Sequence, residues 1–150
     1  MKRIIAVVLA MLACVVVFSS CFGGGKNQND PIKLAQAFDD EDYTVGLMVD
    51  ESQITEIADE FEVSSKGIYC ILVVSPEEDD DDYYGNDEKS KAGMFIYCED
   101  SATAKKMQKE LTAFSESDED FKEDIKRPVV ERSGKMVFVG SADAWEEYAD

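Results

Sequence analysis

Two short segments, Ile68 to Val74 and Met94 to Cys98, carry an apolar or aromatic side chain at every position. A strand in a sheet with one solvated face alternates apolar with polar residues. These two do not alternate, so the sheet they build needs cover on both faces. Paired as a simple hairpin, Val74 falls opposite Met94, Leu72 opposite Ile96 and Cys70 opposite Cys98. Those six residues then share one face, and Tyr69, Ile71, Val73, Phe95 and Tyr97 make the other. Two covers for that second face are open at this point. The first or last helix of the chain can fold over it, or it is an interaction face for a second copy or a ligand, as exposed apolar patches usually are.

The flanking sequence supplies the helices. Asp30-Pro31 is a favoured cap followed by a favoured first residue, and Leu34, Ala35 and Phe38 recur at helical spacing up to the acidic run 39–42. Tyr43, Val45, Leu47 and Val49 alternate as a strand. Asp50 with Gln53 resembles a capping box, and Ile54, Ile57, Ala58 and Phe61 form a helical stripe. A polar stretch, 75–91, joins the two apolar strands. Ser101 is the expected cap of a helix carrying Ala104, Met107, Leu111 and Phe114. The acidic segment 115–126 reads as a loop. Residues 129–131 and 136–139 read as a hairpin around Ser133-Gly134, and Ser141 caps a short last helix with Trp145 and Tyr148.

Strand-helix-strand occurs twice in this order. The expected class is α+β: a ferredoxin-like split β-α-β sheet with additional N- and C-terminal helices. A more irregular α+β sheet covered on both faces is the alternative.

Composition narrows the chemistry. The 150 residues contain 33 Asp plus Glu against 15 Lys plus Arg, a net charge of −18. Nucleic acid and anionic lipid surfaces need clustered cations, so neither is an expected partner. There is no histidine. The commonest general base and metal ligand is therefore missing, and a Ser-His-Asp or Cys-His arrangement cannot be assembled from this chain. No Ser-x-x-Lys, Gly-x-Ser-x-Gly, P-loop or dinucleotide fingerprint occurs. No catalytic residue and no cofactor is expected. With so many acids, paired carboxylates carry no information about glycoside chemistry.

The N-terminus reads as an address. Lys2-Arg3, the apolar run Ile4 to Phe18 and the small residues Ser19-Ser20 are the parts of an export signal. The apolar run is 15 residues long, short of the ~20 that span a bilayer as a helix. Phe18-Ser19-Ser20-Cys21 resembles the lipobox of bacterial lipoproteins, with Phe18 where that family usually has Leu. The resemblance implies a diacylglyceryl group on the Cys21 thiol and cleavage just before it. It covers only about the first 25 residues. The Gly- and Asn-rich residues 22–29 then form a flexible tether. The expected organisation is a signal peptide (1–20), a lipidated Cys21 with its tether (21–29) and one α+β domain (30–150). Losing Lys2 and Arg3 leaves 13 positive against 33 negative charges, a net of −20. The implied place is the outer face of the cytoplasmic membrane or the cell envelope, held through the lipid.

Two further expectations concern the domain. Cys70 opposite Cys98 is compatible with a cross-strand disulfide, two buried free thiols being the alternative. The run Glu77 to Asp82 with Asp87 offers Asp80, Asp82 and Asp87 as weak calcium candidates. The EF-hand test fails there, with Tyr84 at the third ligand position and Lys91 replacing the bidentate Glu. The expected function is a non-catalytic lipoprotein module that binds a protein partner or self-associates. A small-ligand or calcium-binding lipoprotein is the alternative.

Overall fold

The computed structural model describes residues 30–40, 43–76 and 91–149. Four helices start on aspartates. The Asp30 carboxylate accepts the Ile32 and Lys33 amides at 3.0 and 3.3 Å, opening α1 (Pro31–Asp39). Asp50 accepts the amides of Ser52 and Gln53 at 3.0 and 3.3 Å, opening α2 (Glu51–Glu60). Asp100, one residue before the expected Ser101, accepts the Thr103 amide at 2.7 Å and opens α3 (Ser101–Ser117). A carboxylate satisfies free amides and also complements the positive end of the helix dipole.

The acidic segment after 115 is helical, contrary to the expected loop. α3 runs on to Ser117, and Asp118 caps α4 (Glu119–Asp124) by accepting the Phe121 amide at 2.7 Å. Phe121 is buried against Phe61 and Phe114, with ring centroids 6.2 and 5.9 Å apart. A local cap and one aromatic anchor outweigh the like-charge repulsion among exposed carboxylates, which water screens.

The strands are β1 (Tyr43–Met48), β2 (Ile68–Pro76), β3 (Gly93–Cys98), β4 (Pro128–Ser133) and β5 (Met136–Ser141), followed by α5 (Ala142–Ala149). They form one antiparallel sheet in the order β1-β2-β3-β5-β4. The α+β class with extra terminal helices is as expected, in a ferredoxin-like order of elements. The connections refine it. β1 and β2 are direct antiparallel neighbours on either side of α2, where a split unit inserts a strand between parallel partners.

Helices cover both faces. α2, α3 and α4 pack Ile57, Leu111 and Phe121 against Ile71, Val73, Ile96 and Val137. α1 and α5 pack Leu34, Phe38, Ala144 and Tyr148 against Leu72, Phe95 and Phe138. The first and last helices together thus supply the second cover. Where β3 meets β5, Gly93 pairs with Gly140 and the Phe138 ring lies over the pair.

Candidate functional site

The β2–β3 register differs from the expected one by one residue. Cys70 pairs with Tyr97, Ile71 with Ile96, Leu72 with Phe95 and Val73 with Met94. Directly opposed residues share a face. Ile71 and Val73 therefore join Met94, Ile96 and Cys98 under α2 and α3, while Cys70 and Leu72 join Phe95 and Tyr97 under α1 and α5. Because both strands are apolar on both sides, either register buries apolar groups, so their alternation holds no register information.

Two expectations fall with this shift. Cys70 and Cys98 lie on opposite faces of the sheet, buried and free, so no disulfide joins them. Burial pushes the Cys70 thiol up to about 12 and the Cys98 thiol up to about 11. Both stay protonated near neutrality, and neither is a nucleophile or a metal ligand there. The proposed interaction face is not a face either. Ile71, Val73, Phe95 and Tyr97 are each no more than 2% exposed. Tyr69 alone is open, at 47%. A bulge between Ile68 and Cys70 pairs Ile68 with Cys98 and leaves Tyr69 over, its ring 6.2 Å from Tyr97.

Asp80, Asp82 and Asp87 lie outside the described residues, as does Cys21. Among the described residues, no three Cys, Asp or Glu side chains come together as a metal site. No helix among them is long and apolar enough to cross a membrane. A shallow depression of about 450 Å³ runs along the outer side of α3, between Lys105, Lys109 and Glu116. It is a furrow on one helix and brings no converging groups together.

One charged cluster ties α5 to the start of β4. Arg127, with φ of 44°, donates from its guanidinium to Asp143 and, at 3.4 Å, to Glu146. Lys126 Nζ lies 3.2 Å from the other Asp143 oxygen. The Arg127 hydrogen bond, helped by Lys126, holds the Asp143 carboxyl below the usual carboxylate range. The cluster fixes the start of α5 to the entry of β4, where the Ala142 amide also donates to the Arg127 carbonyl at 2.9 Å. It accounts for those charges without any chemistry.

The open surface lies instead at one edge and one end of the sheet. β1 is an edge strand with Tyr43, Thr44, Val45 and Leu47 half-buried. Met48 pairs with Ile71, which sets Val49, the next residue, beside Cys70 at the start of β2. Val49 is 69% exposed and Ile32, in the first turn of α1, is 48% exposed. Asp30, the cap of α1, is close enough to Tyr69 and Tyr97 to raise both phenols, after the larger effect of burial. Ile32, Val49 and Tyr69 are thus the exposed large apolar residues among those described, in the first turn of α1, just after β1 and near the start of β2. The sequence held a signal for this edge: seven uncharged residues, Tyr43 to Val49, bounded by acids on both sides. Alternation placed Val49 with the core and concealed its exposure. The chain matches no family model, no curated protein and no solved structure.

Proposed function

We propose that this chain is a lipid-anchored, non-catalytic module that binds a protein partner at the outer face of the cytoplasmic membrane or in the cell envelope. The observation that carries the reading is Phe18-Ser19-Ser20-Cys21 followed by a Gly- and Asn-rich spacer. A diacylated cysteine supplies two chains, enough for stable anchoring where one is marginal. Eight residues separate Cys21 from Asp30, and a chain of that length reaches at most about 28 Å. The domain thus hangs by its Asp30 end, close to the bilayer. Its charge opposes lying flat on anionic lipid, and buried protonated thiols with an absent histidine oppose chemistry. What supports binding is the exposure of Ile32, Val49 and Tyr69, the large apolar side chains left open among the described residues.

Two measurements test this. Intact-mass analysis of the native protein should find an acylated N-terminal Cys21, and Cys21→Ser should release the domain from the membrane. A photo-crosslinking residue at position 49 should form adducts with a second protein in intact cells, whereas one at position 105 on α3 should not. An unmodified mature N-terminus would refute the anchoring. Equal adducts, or none, at both positions would refute the binding end.

A further inference from the structure

We infer that the outer side of α3 binds a linear polyanion, a polymer that carries phosphate or carboxylate groups and no bases. α3 packs on the opposite face of the sheet from α1, so this surface is separate from the one that holds Ile32.

The chain is strongly acidic, and several of its cations stand beside carboxylates. Lys106 lies 3.6 Å from Glu110 and Lys122 2.7 Å from Glu119, while Lys126 and Arg127 both hold Asp143. Lys105 and Lys109 differ. Both are exposed and both line the depression of about 450 Å³ along α3. Neither joins an ion pair among the described residues. Four residues apart, they stand ~6 Å from each other along the helix axis, on one side of the helix.

A third cation is held beside them. Arg132, exposed on β4, donates from Nε to Gln108 Oε1 at 3.3 Å and from one terminal nitrogen to the Gly134 carbonyl at 2.9 Å. Gln108 lines the same depression. These bonds fix the guanidinium at the furrow. They leave its other terminal nitrogen and the Gln108 amide nitrogen as further donors.

The arrangement selects the ligand. The cations are strung along the helix and do not converge on a point, which suits a chain of repeated charges and not one compact anion. The lining, Lys105, Gln108, Lys109, Thr112, Ala113 and Glu116, holds no aromatic ring on which a base would stack. Glu116 sets the C-terminal limit of the cationic stretch. The overall negative charge repels a polyanion at long range. Charges more than ~8 Å away are largely screened at physiological salt, which leaves the contact to Lys105, Lys109 and Arg132.

The test uses the full chain in neutral detergent micelles. The probes are labelled polyphosphate, polygalacturonate, neutral dextran and single-stranded DNA of matched length. Polyphosphate or polygalacturonate should bind, the tighter of the two telling phosphate from carboxylate, and dextran should not. DNA should bind no more tightly than the better of these. Affinity should fall with salt at a logarithmic slope near −2, for three contacts at about −0.7 each. Lys105→Gln with Lys109→Gln should weaken binding at least about tenfold and reduce that slope to about −0.7, with the melting temperature unchanged to within a few degrees. Lys33→Gln with Lys66→Gln, two lysines exposed elsewhere, should change the affinity less than about twofold. Equal losses in the two pairs would overturn the inference by showing overall charge at work. Absent binding of both polyanions, binding of dextran, or tighter binding of DNA would also overturn it. Adducts with an acidic protein from a crosslinking residue at position 105 would overturn it in favour of that partner.

Discussion

The glycine pair beneath Phe138 gives a sharp test of how the sheet is packed. A methyl group at Gly93 would collide with Phe138 Cε2 and stand 2.6 Å from its Cζ. A methyl at Gly140 would collide with the Gly93 Cα and stand 2.6 Å from the Ala92 carbonyl oxygen. That oxygen already accepts the Ser141 amide at 2.9 Å and is held in place. Gly140 also has φ of +154°, where L-residues are strained. Overpacking of a well-filled core costs about 1–3 kcal/mol. Gly93→Ala should fall in that range, because its obstacle is one ring edge. Gly140→Ala adds backbone strain of about 1–2 kcal/mol and should cost about 2–5 kcal/mol, a loss on the order of 10 °C in Tm. Phe138→Leu alone should cost about 1–2 kcal/mol. Combined with Gly93→Ala it frees the space the methyl needs, so the double variant should be about 1–2 kcal/mol more stable than the sum of its parts. Combined with Gly140→Ala, whose methyl would stand 3.1 Å from the same Cζ, it should recover only part of the loss, because the Gly93 Cα and the Ala92 carbonyl oxygen stay in the way. Urea unfolding followed by circular dichroism gives each value. The single tryptophan, Trp145, 5.4 Å from the Phe138 ring, offers a second probe. If the Gly93 cycle is additive, or if Phe138→Leu rescues Gly140→Ala fully, the assigned contacts are wrong.

Further outcomes follow from the buried polar groups. Cys70 and Cys98 should resist alkylation in the native protein at pH 8 and react only on unfolding, and oxidant should not change the mass by a disulfide. Their native pKa values are raised above those of the unfolded chain. The thiols' contribution is therefore complete below about pH 9 and is lost as pH rises from there toward 11–12. Urea midpoints should fall over that window, and less steeply in Cys70→Ala. The hydroxyls of Tyr97 and Tyr148 are buried without a hydrogen-bond partner among the described residues. Tyr148→Phe should therefore be neutral, or stabilising by up to about 1 kcal/mol in thermal unfolding. Asp143→Ala should cost about 0.5–1 kcal/mol, a loss that shrinks in high salt because the cluster is largely exposed.

Much of this fold was legible, for identifiable reasons. Asp30 and Asp50 marked helix starts because a carboxylate before an apolar stripe has a local effect. Leu111 and Phe114 marked the inner side of α3 because helical spacing is a property of the sequence itself. The register of β2 against β3 was not legible. It depends on parity, and two strands with apolar residues on both sides look alike in either parity. α4 was missed because its acidity suggested repulsion, while Phe121 and Ile125, both buried, hold it in place. The candidate site was legible only in part. The uncharged stretch of β1 between acids could be read directly. Its position at the edge of the sheet depends on strand order, which no local pattern encodes.

The separation of Cys70 and Cys98 onto opposite faces also bears on how such a chain matures. An exported domain stapled by a disulfide depends on an oxidant, and on a catalyst to correct wrong pairings. Here the two thiols are divided by the sheet itself. Within the described residues, the native state can be reached in reducing or oxidising surroundings alike. Among the described residues the fold thus makes no demand on the redox state of its surroundings.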